Sequence, residues 1–206
     1  MTETNLKELN AYLRKKSPQQ IIEWGLEQAS RPIVSTSFGK YSAILLHALQ
    51  SKAPNIDIIW CDTLFNSEET YNHGKGLVAQ LKLNIHVYKP NINKTEIEQS
   101  IGLPNVIDPE HEIFSEVVKL EPFRRALQEH KPDVWFTNIR VRQTAFRDEK
   151  DILSLSKEGI LKISPFYYWS DEELERYLKT FKLPKNSNYF DPIKVLEHRE
   201  CGVHFL

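Results

Sequence analysis

Cysteine is scarce in this chain. Only Cys61 and Cys201 carry it in 206 residues, which excludes a disulfide framework and any site that needs four cysteine ligands from one chain. Long apolar runs are lacking too. No stretch approaches the roughly 20 residues that cross a bilayer, and the start Met1-Thr2-Glu3-Thr4 has neither the basic opening nor the apolar middle of a secretory signal. An excess of one charge is also missing: 27 Lys and Arg against 28 Asp and Glu leave a net charge of −1. That balance argues against broad nucleic-acid binding and turns attention to local clusters of basic residues. No internal repeat is present. A soluble cytoplasmic protein with no membrane or nucleic-acid partner is expected, and 40% hydrophobic content suits one sizeable core with appendages.

The order of elements predicts an α/β fold. The first thirty residues read as helices, the second opening at Ser17-Pro18-Gln19-Gln20, a capping box with a first-turn proline. An apolar run, Pro32 to Ser35, breaks into small polar residues and resumes as the apolar-rich helix Ala43 to Leu49. Strand Ile56 to Cys61, helix Glu68 to Leu81 and strand Asn84 to Tyr88 follow. From Pro90 to Leu120 the pattern loosens around Gly102, Pro104 and Pro109 into mixed helix and loop. Helix Pro122 to His130, strand Asp133 to Asn138, strand Ile160 to Ile163 and a second capping box at Ser170 complete the series. Alternating strands and helices imply a mostly parallel sheet covered on both faces. The expected organisation is a helical segment over residues 1–30, an α/β domain over 31–184 and a tail over 185–206, polar and turn-rich, lying over the sheet's edge as a mobile flap.

Ligands of open parallel sheets bind beyond the carboxyl ends of the strands, and three loops there are unusual. Ser35-Thr36-Ser37-Phe38-Gly39-Lys40-Tyr41-Ser42 offers hydroxyls, a glycine and a lysine at a helix start. It reads either as an anion site built from backbone amides or as a polar turn with a serine cap, and its spacing is not that of a Walker loop. Cys61 to Tyr71, with Asp62, Thr63 and Glu69, carries carboxylates and hydroxyls able to meet a nucleoside, although such residues also cap helices. Ile139 to Arg147 holds three arginines in nine residues. If it is helical, Arg140, Gln143 and Arg147 share a face; arginine forks suit phosphate and sulfate oxygens, and a solvated basic face is the rival reading. Last, Arg199-Glu200-Cys201-Gly202-Val203-His204 sets a thiol among cations, which favour the nucleophilic thiolate. Taken alone, it is equally a leftover thiol on a frayed end. Cys61, at a strand end, reads as a buried structural thiol.

Together and in order, these segments resemble the phosphoadenylyl-sulfate (PAPS) reductases of the adenine-nucleotide alpha-hydrolase-like fold. Ser37-Phe38-Gly39 is similar to the family's modified pyrophosphate loop, Asp62-Thr63 with Glu69-Thr70-Tyr71 to its adenosine-side motif, and Lys119-Leu120-Glu121-Pro122 and the Arg140, Gln143, Arg147 segment to two further signatures. The tail resembles the Glu-Cys-Gly-(Ile or Leu)-His motif that carries the catalytic cysteine. The resemblance implies attack of the Cys201 thiolate on the sulfur of PAPS, release of adenosine 3',5'-bisphosphate, and an S-sulfocysteine from which a thioredoxin or glutaredoxin thiol frees sulfite. Ser35, Thr36, Ser37, Phe38, Gly39, Lys40 and Ser42 would then hold the nucleotide together with Asp62, Thr63, Glu69, Gln143 and Lys194. Lys119, Arg140, Arg147 and Arg199 would neutralise the sulfate and the departing phosphate. His204 would hold the thiolate or orient the tail, or simply pack it. A homodimer is implied, with no bound metal and no permanent cofactor.

Two departures from the family pattern matter. A branch that reduces adenylyl sulfate binds an iron-sulfur cluster through a cysteine pair; those positions here are Phe114 and Ser115, so no cluster is expected. The usual Gly-Asp-x-His-Thr-Thr segment is compressed to Tyr189 through Leu196, where Asp191 and Lys194 stand in for part of it. The alternatives are an adenylyl-sulfate reductase without a cluster, an ATP-dependent adenylating enzyme, whose Ser-Gly-Gly-x-Asp-Ser loop is not matched, and a non-catalytic nucleotide-binding module.

Overall fold

The computed structural model describes residues 3–103, 111–191, 193 and 203. Helices α1 (Glu3–Leu13) and α2 (Pro18–Glu27) precede β1 (Pro32–Thr36), α3 (Ser42–Gln50), β2 (Asp57–Cys61), α4 (Glu68–Leu81) and β3 (Ile85–Tyr88). Then come α5 (Lys94–Ser100), α6 (His111–Ser115), a π-helical turn (Glu116–Leu120) and α7 (Glu121–His130). The chain continues through β4 (Val134–Phe136), α8 (Ala145–Asp148), β5 (Leu153–Leu155), β6 (Leu161–Ile163) and α9 (Asp171–Thr180). Among the described residues the strands form one six-stranded sheet ordered β3-β2-β1-β4-β6-β5, parallel except for the β5–β6 pair. No helix among them is long and apolar enough to cross a membrane.

Strand periodicity explains why both faces are covered. Successive side chains of a strand point to opposite faces, and here both sets are apolar. Val34, Ile58, Val134 and Phe136 enter one buried cluster with residues of α1 to α4 and α9, whereas Ile33, Ile59 and Trp135 enter the other with Phe114, Val118 and Phe123. Such strands need helices on each side. The N-terminal helices join the first cluster through Leu13, Ile21 and Ile22. Packing is close: a Cβ on Gly25 of α2 would stand 2.6 Å from Ile163 Cδ1. Asn10 of α1 also binds the antiparallel strand β5, its amide donating to Leu153 O (3.0 Å) and accepting from Leu153 N (2.8 Å).

The capping boxes expected at Ser17 and Ser170 are present, and Asn93 with Glu96 forms another that opens α5 inside the segment read as mixed helix and loop. The short strand β5 was not foreseen, because Leu153-Ser154-Leu155 is too brief to show a period. Of the tail, read as a flap over the sheet's edge, only residues 185–191, 193 and 203 are described, and several of these are buried. Asn186 is buried and donates to Phe38 O (3.0 Å) and Thr70 Oγ1 (3.2 Å), while Ile193 and Val203 sit in the second core cluster. Asn186 spends its amide on a loop carbonyl and a hydroxyl, which composition does not reveal.

Asp133 ties the entry of β1 to that of β4. Its carboxylate accepts from the backbone N–H groups of Ser30 (2.8 Å) and Arg31 (2.9 Å). Burial pushes this carboxyl up, but the backbone hydrogen bonds from Arg31 and Ser30 outweigh it and hold it below the usual range. A carboxyl lowered on folding adds stability that is complete above its unfolded pKa, about 3.9, and lost as pH falls through the lower folded value. We expect Asp133→Asn to cost about 1–2 kcal/mol at neutral pH and to narrow its gap to wild type as pH falls below 4. Urea denaturation at several pH values checks this; a gap independent of pH contradicts it.

Candidate active site at the carboxyl ends of the strands

Strand order reverses between β1 and β4, with β2 and β3 to one side and β6 to the other. Crevices open beyond the carboxyl ends at such a point. A cavity of about 760 Å³ lies there, walled by the β1–α3 loop, by residues 138–147 after β4, by Lys119 of the π turn, and by Tyr189, Phe190, Asp191 and Val203 of the tail. Trp135 Nε1 donates to Ser35 Oγ (2.8 Å) across the reversal.

The β1–α3 loop contributes Ser35, Thr36, Ser37, Gly39, Lys40 and Ser42 to the wall. Phe38 N donates to Thr36 Oγ1 (3.0 Å) and Ser42 Oγ to Gly39 O (2.9 Å), so hydroxyls fold the loop on itself. Helices α2, α4, α5 and α9 all open on a side-chain cap, whereas among the described residues α3 does not: its cap position, Tyr41, makes no such bond. An uncapped helix start directs N–H dipoles outward and favours an anion.

Phe38 is placed differently from its loop neighbours. It is fully buried, does not line the cavity, and packs edge-on to Trp60 with ring centroids 5.0 Å apart. Its φ of 50° is left-handed, a conformation that costs a non-glycine residue about 1–2 kcal/mol. Gly74 of α4 gives the ring its space, since a Cβ there would stand 2.9 Å from Phe38 Cδ2. The ring acts as an anchor that sets the loop's path.

Arg140, Gln143 and Arg147 meet at the opposite wall, by a route other than a shared helix face. Helix α8 begins only at Ala145, and Arg142, with φ 64°, turns the chain before it. Gln143 Oε1 instead accepts from Arg140 N (2.8 Å) and from Arg147 Nη1. Arg140 donates to Asp171 Oδ1 (2.8 Å) and lies 5.2 Å from the Tyr41 ring centroid, and Lys40 Nζ is 3.8 Å from Asp171 Oδ2. Burial pushes the Asp171 carboxyl up, but Arg140 first and Lys40 after it hold it below the usual range. Burial, with Glu175 and Asp171 as hydrogen-bond acceptors, raises the Tyr41 phenol. Nearby, Asn138 donates to Tyr41 O (3.2 Å), while its Oδ1 is buried without a partner among the described residues.

Lys119 projects from the π turn into the cavity, where its Nζ pairs with Asp191 Oδ2 at 2.8 Å, both side chains less than a tenth exposed. Tyr189 Oη donates to the same oxygen (3.3 Å). The carboxylate-bearing loop after β2 turns inward instead. Asp62 is buried and accepts from Leu64 N (3.1 Å), Asn66 Nδ2 (3.1 Å) and Tyr71 Oη (2.7 Å), and Thr63 Oγ1 accepts from Phe65 N (3.3 Å). Neither Asp62, Thr63 nor the exposed Glu69 lines the cavity. Cys61, read as a buried structural thiol, is half-buried and does line it. Lys194, Arg199, Cys201 and His204 lie outside the described residues, although Val203, two positions from Cys201, is part of the wall. Tyr41, Asp171 and Tyr189 were missed: each sits near an expected motif, but its role depends on tertiary contact.

A doubly covered parallel sheet whose order reverses at an uncapped helix start ringed by cations defines an α/β protein arranged to hold an anionic ligand. Residues 31–194 match the model of the phosphoadenosine phosphosulfate reductase domain, and the chain belongs to that family. Phosphoadenosine 5'-phosphosulfate reductases from a Synechococcus species and from Xylella fastidiosa are 34% and 36% identical to it over 183 residues, 87% of this chain and 78% and 76% of theirs. The crystal structure of phosphoadenylyl-sulfate reductase from Candida auris, a phosphate complex, shares the fold with a TM-score of 0.78, at 22% identity over 90% of each chain. The U34-tRNA thiolase of Methanococcus maripaludis is similar in fold more distantly, with a TM-score of 0.56 at 12% identity over 85% of this chain and 65% of that one.

The Phe38 anchor is testable. Gly74→Val forces a buried ring to move, and we expect a loss of about 1–3 kcal/mol together with weaker binding of adenosine 3',5'-bisphosphate, both read by thermal unfolding with and without the nucleotide. An unchanged melting temperature in both conditions contradicts the role given to Phe38.

Proposed function

We propose that this protein reduces 3'-phosphoadenylyl sulfate to sulfite and adenosine 3',5'-bisphosphate, with Cys201 as nucleophile. The observation that carries this reading is the convergence of the uncapped α3 start, Lys40, Arg140, Arg147 and Lys119 on one cavity that Val203, close in sequence to Cys201, helps to close. Family membership and relatives named for this activity support it.

The chemistry asks for cations. A thiolate and the anionic sulfo group of a phosphosulfate anhydride repel each other, and the departing phosphate gains charge as its oxygen–sulfur bond breaks. The Cys201 thiolate attacks sulfur, the sulfur–oxygen bond to the nucleotide phosphate breaks, and its electron pair leaves with adenosine 3',5'-bisphosphate. A thiol of thioredoxin or glutaredoxin then attacks Cys201 Sγ, and sulfite departs with the electron pair of the S–S bond. Backbone amides of the β1–α3 loop hold phosphate oxygens, while Arg140 and Arg147, linked through Gln143, hold sulfate and phosphate together with Arg199 of the tail. Lys119 takes up the ligand's charge when the ligand displaces Asp191. Asn138 Oδ1 offers an acceptor to a nucleoside N–H or O–H. Lys194 and His204 belong to the closing tail in this reading.

Phe114 and Ser115 stand where a cluster-binding relative has cysteines, and Phe114 packs against Phe65 with centroids 5.2 Å apart. The reaction therefore uses no resident iron-sulfur cluster, and the electrons come from the thiol partner. Stoichiometric iron in a brown preparation contradicts this. The same reading makes the protein a cytoplasmic homodimer, supported by the sequence resemblance alone; sedimentation tests the dimer.

The defining assay measures sulfite from PAPS, and separately from adenylyl sulfate, with reduced thioredoxin. We expect PAPS to be the better substrate and Cys201→Ser to bind nucleotide yet yield neither sulfite nor a covalent adduct. Turnover surviving in Cys201→Ser, or no sulfite from either substrate while ATP releases pyrophosphate, contradicts the assignment. Lys119→Met is best made with Asp191→Asn, which avoids leaving an unpaired buried carboxylate. We expect this pair to lower kcat/KM on the order of 10²-fold, and an unchanged value contradicts the role of Lys119.

A further inference from the structure

The opposite end of the sheet holds a cluster that the cavity does not use. Asp57 opens β2, His86 is the second residue of β3, and His130 is the last of α7. His86 Nε2 lies 2.8 Å from Asp57 Oδ1, and His130 Nδ1 lies 3.0 Å from Asp57 Oδ2. One ligand atom from each of the three residues can be chosen so that all lie within 4.8 Å of one another. His130 is 9% exposed at its side chain, whereas His86 (36%) and Asp57 (39%) reach solvent, so an ion has a way in.

What lies behind His130 indicates what the cluster awaits. Tyr88 Oη donates to Glu129 Oε2 (2.7 Å), so toward His130 Nε2, 3.0 Å away, it can only accept. His130 therefore carries a proton on Nε2 and directs Nδ1 at Asp57. A bare Nδ1 lone pair facing a carboxylate oxygen is repulsive, and the arrangement is satisfied by a cation: a second proton on the ring, or a metal ion. An imidazole whose far N–H is held through a hydroxyl by a carboxylate has the outer support found behind metal-bound histidines. Asn84 Nδ2 similarly steadies Asp57 by donating to Oδ1 (2.8 Å).

We propose that Asp57, His86 and His130 form a site for one divalent transition-metal ion of borderline softness, with zinc as its type. Two imidazole nitrogens and one carboxylate oxygen suit that ion, with water as the fourth ligand. Tetrahedral bonds of about 2.0–2.2 Å set ligand atoms roughly 3.3–3.6 Å apart, so the carboxylate contacts of 2.8 and 3.0 Å open slightly while any wider separation within the 4.8 Å cluster closes, a rearrangement open to the two exposed side chains. The site lies about 13 Å along β2 from Cys61. Its effect is structural, pinning the end of α7 to the β2–β3 edge, and it does not depend on the reaction proposed above. It departs from the sequence expectation of no bound metal, because positions 57, 86 and 130 form no motif.

The test is calorimetric titration of the full-length chain with zinc sulfate, in a Cys61→Ser, Cys201→Ser background that removes thiol ligands. We expect one ion per chain with Kd below about 1 µM and a raised melting temperature. His86→Gln and His130→Gln each weaken binding at least about 10-fold, and Tyr88→Phe, which removes only the outer support, about 10-fold. His47→Gln, outside the cluster and bonded to Tyr177 Oη instead (2.9 Å), leaves the affinity unchanged. His86 is the more exposed histidine, so its variant keeps the test interpretable if His130→Gln fails to fold. Affinity equal to the parent in the His86 variant, or no saturable binding at about 100 µM zinc, overturns the proposal and leaves the proton as the cluster's cation.

Discussion

The reversal of strand order between β1 and β4 is the constraint on which the rest of the structure depends. Parallel crossovers carry the chain from β1 outward to β3 on one side and from β4 to β6 on the other. Two neighbouring loops thereby diverge, and the space between them cannot be filled by either connection. The Trp135 to Ser35 hydrogen bond closes the sheet just below that space. Apolar residues on both strand faces then require helices on each side, and the helix starts that face the gap become its walls.

Charge in the cavity is held in place by compensation. Arg140 leans on Asp171 and the Tyr41 ring, and Lys119 on Asp191. A buried ion pair gains little net stability, but removing one partner is costly, so each pairing chiefly fixes geometry. The Lys119–Asp191 contact has a particular consequence, because Asp191 belongs to the tail that leads to Cys201. An anion that competes for Lys119 necessarily changes what holds the tail.

Much of the fold was legible because it rests on local rules. Short continuous apolar strands, the Ser17 and Ser170 capping boxes and the apolar helix after Ser42 carry their signals in adjacent residues. The β1–α3 loop was legible as a candidate wall of a site, although only the structure shows that α3 starts without a side-chain cap and that Phe38 is buried in the core. Arg140 and Arg147 were legible as neighbours only on the condition of a helix, and the left-handed Arg142 and the Gln143 bridge bring them together without one. Asp62 was legible as a carboxylate suited to a nucleoside, whereas its bonds to its own turn and to Tyr71 were not. Asn186, Asp191 and the Asp57, His86, His130 cluster were illegible in their structural roles, because each acquires its contacts across 70 residues or more, or across three elements.

The central claim is that the crevice at the strand-order reversal is where a sulfonucleotide is held. Hydrogen–deuterium exchange of the full-length protein, with and without saturating adenosine 3',5'-bisphosphate, tests it most directly. The account predicts slowed exchange in the β1–α3 loop and in residues 138–147, with the amino ends of β2 and β3 unchanged. Protection confined to those amino ends, or none anywhere under nucleotide, would contradict it.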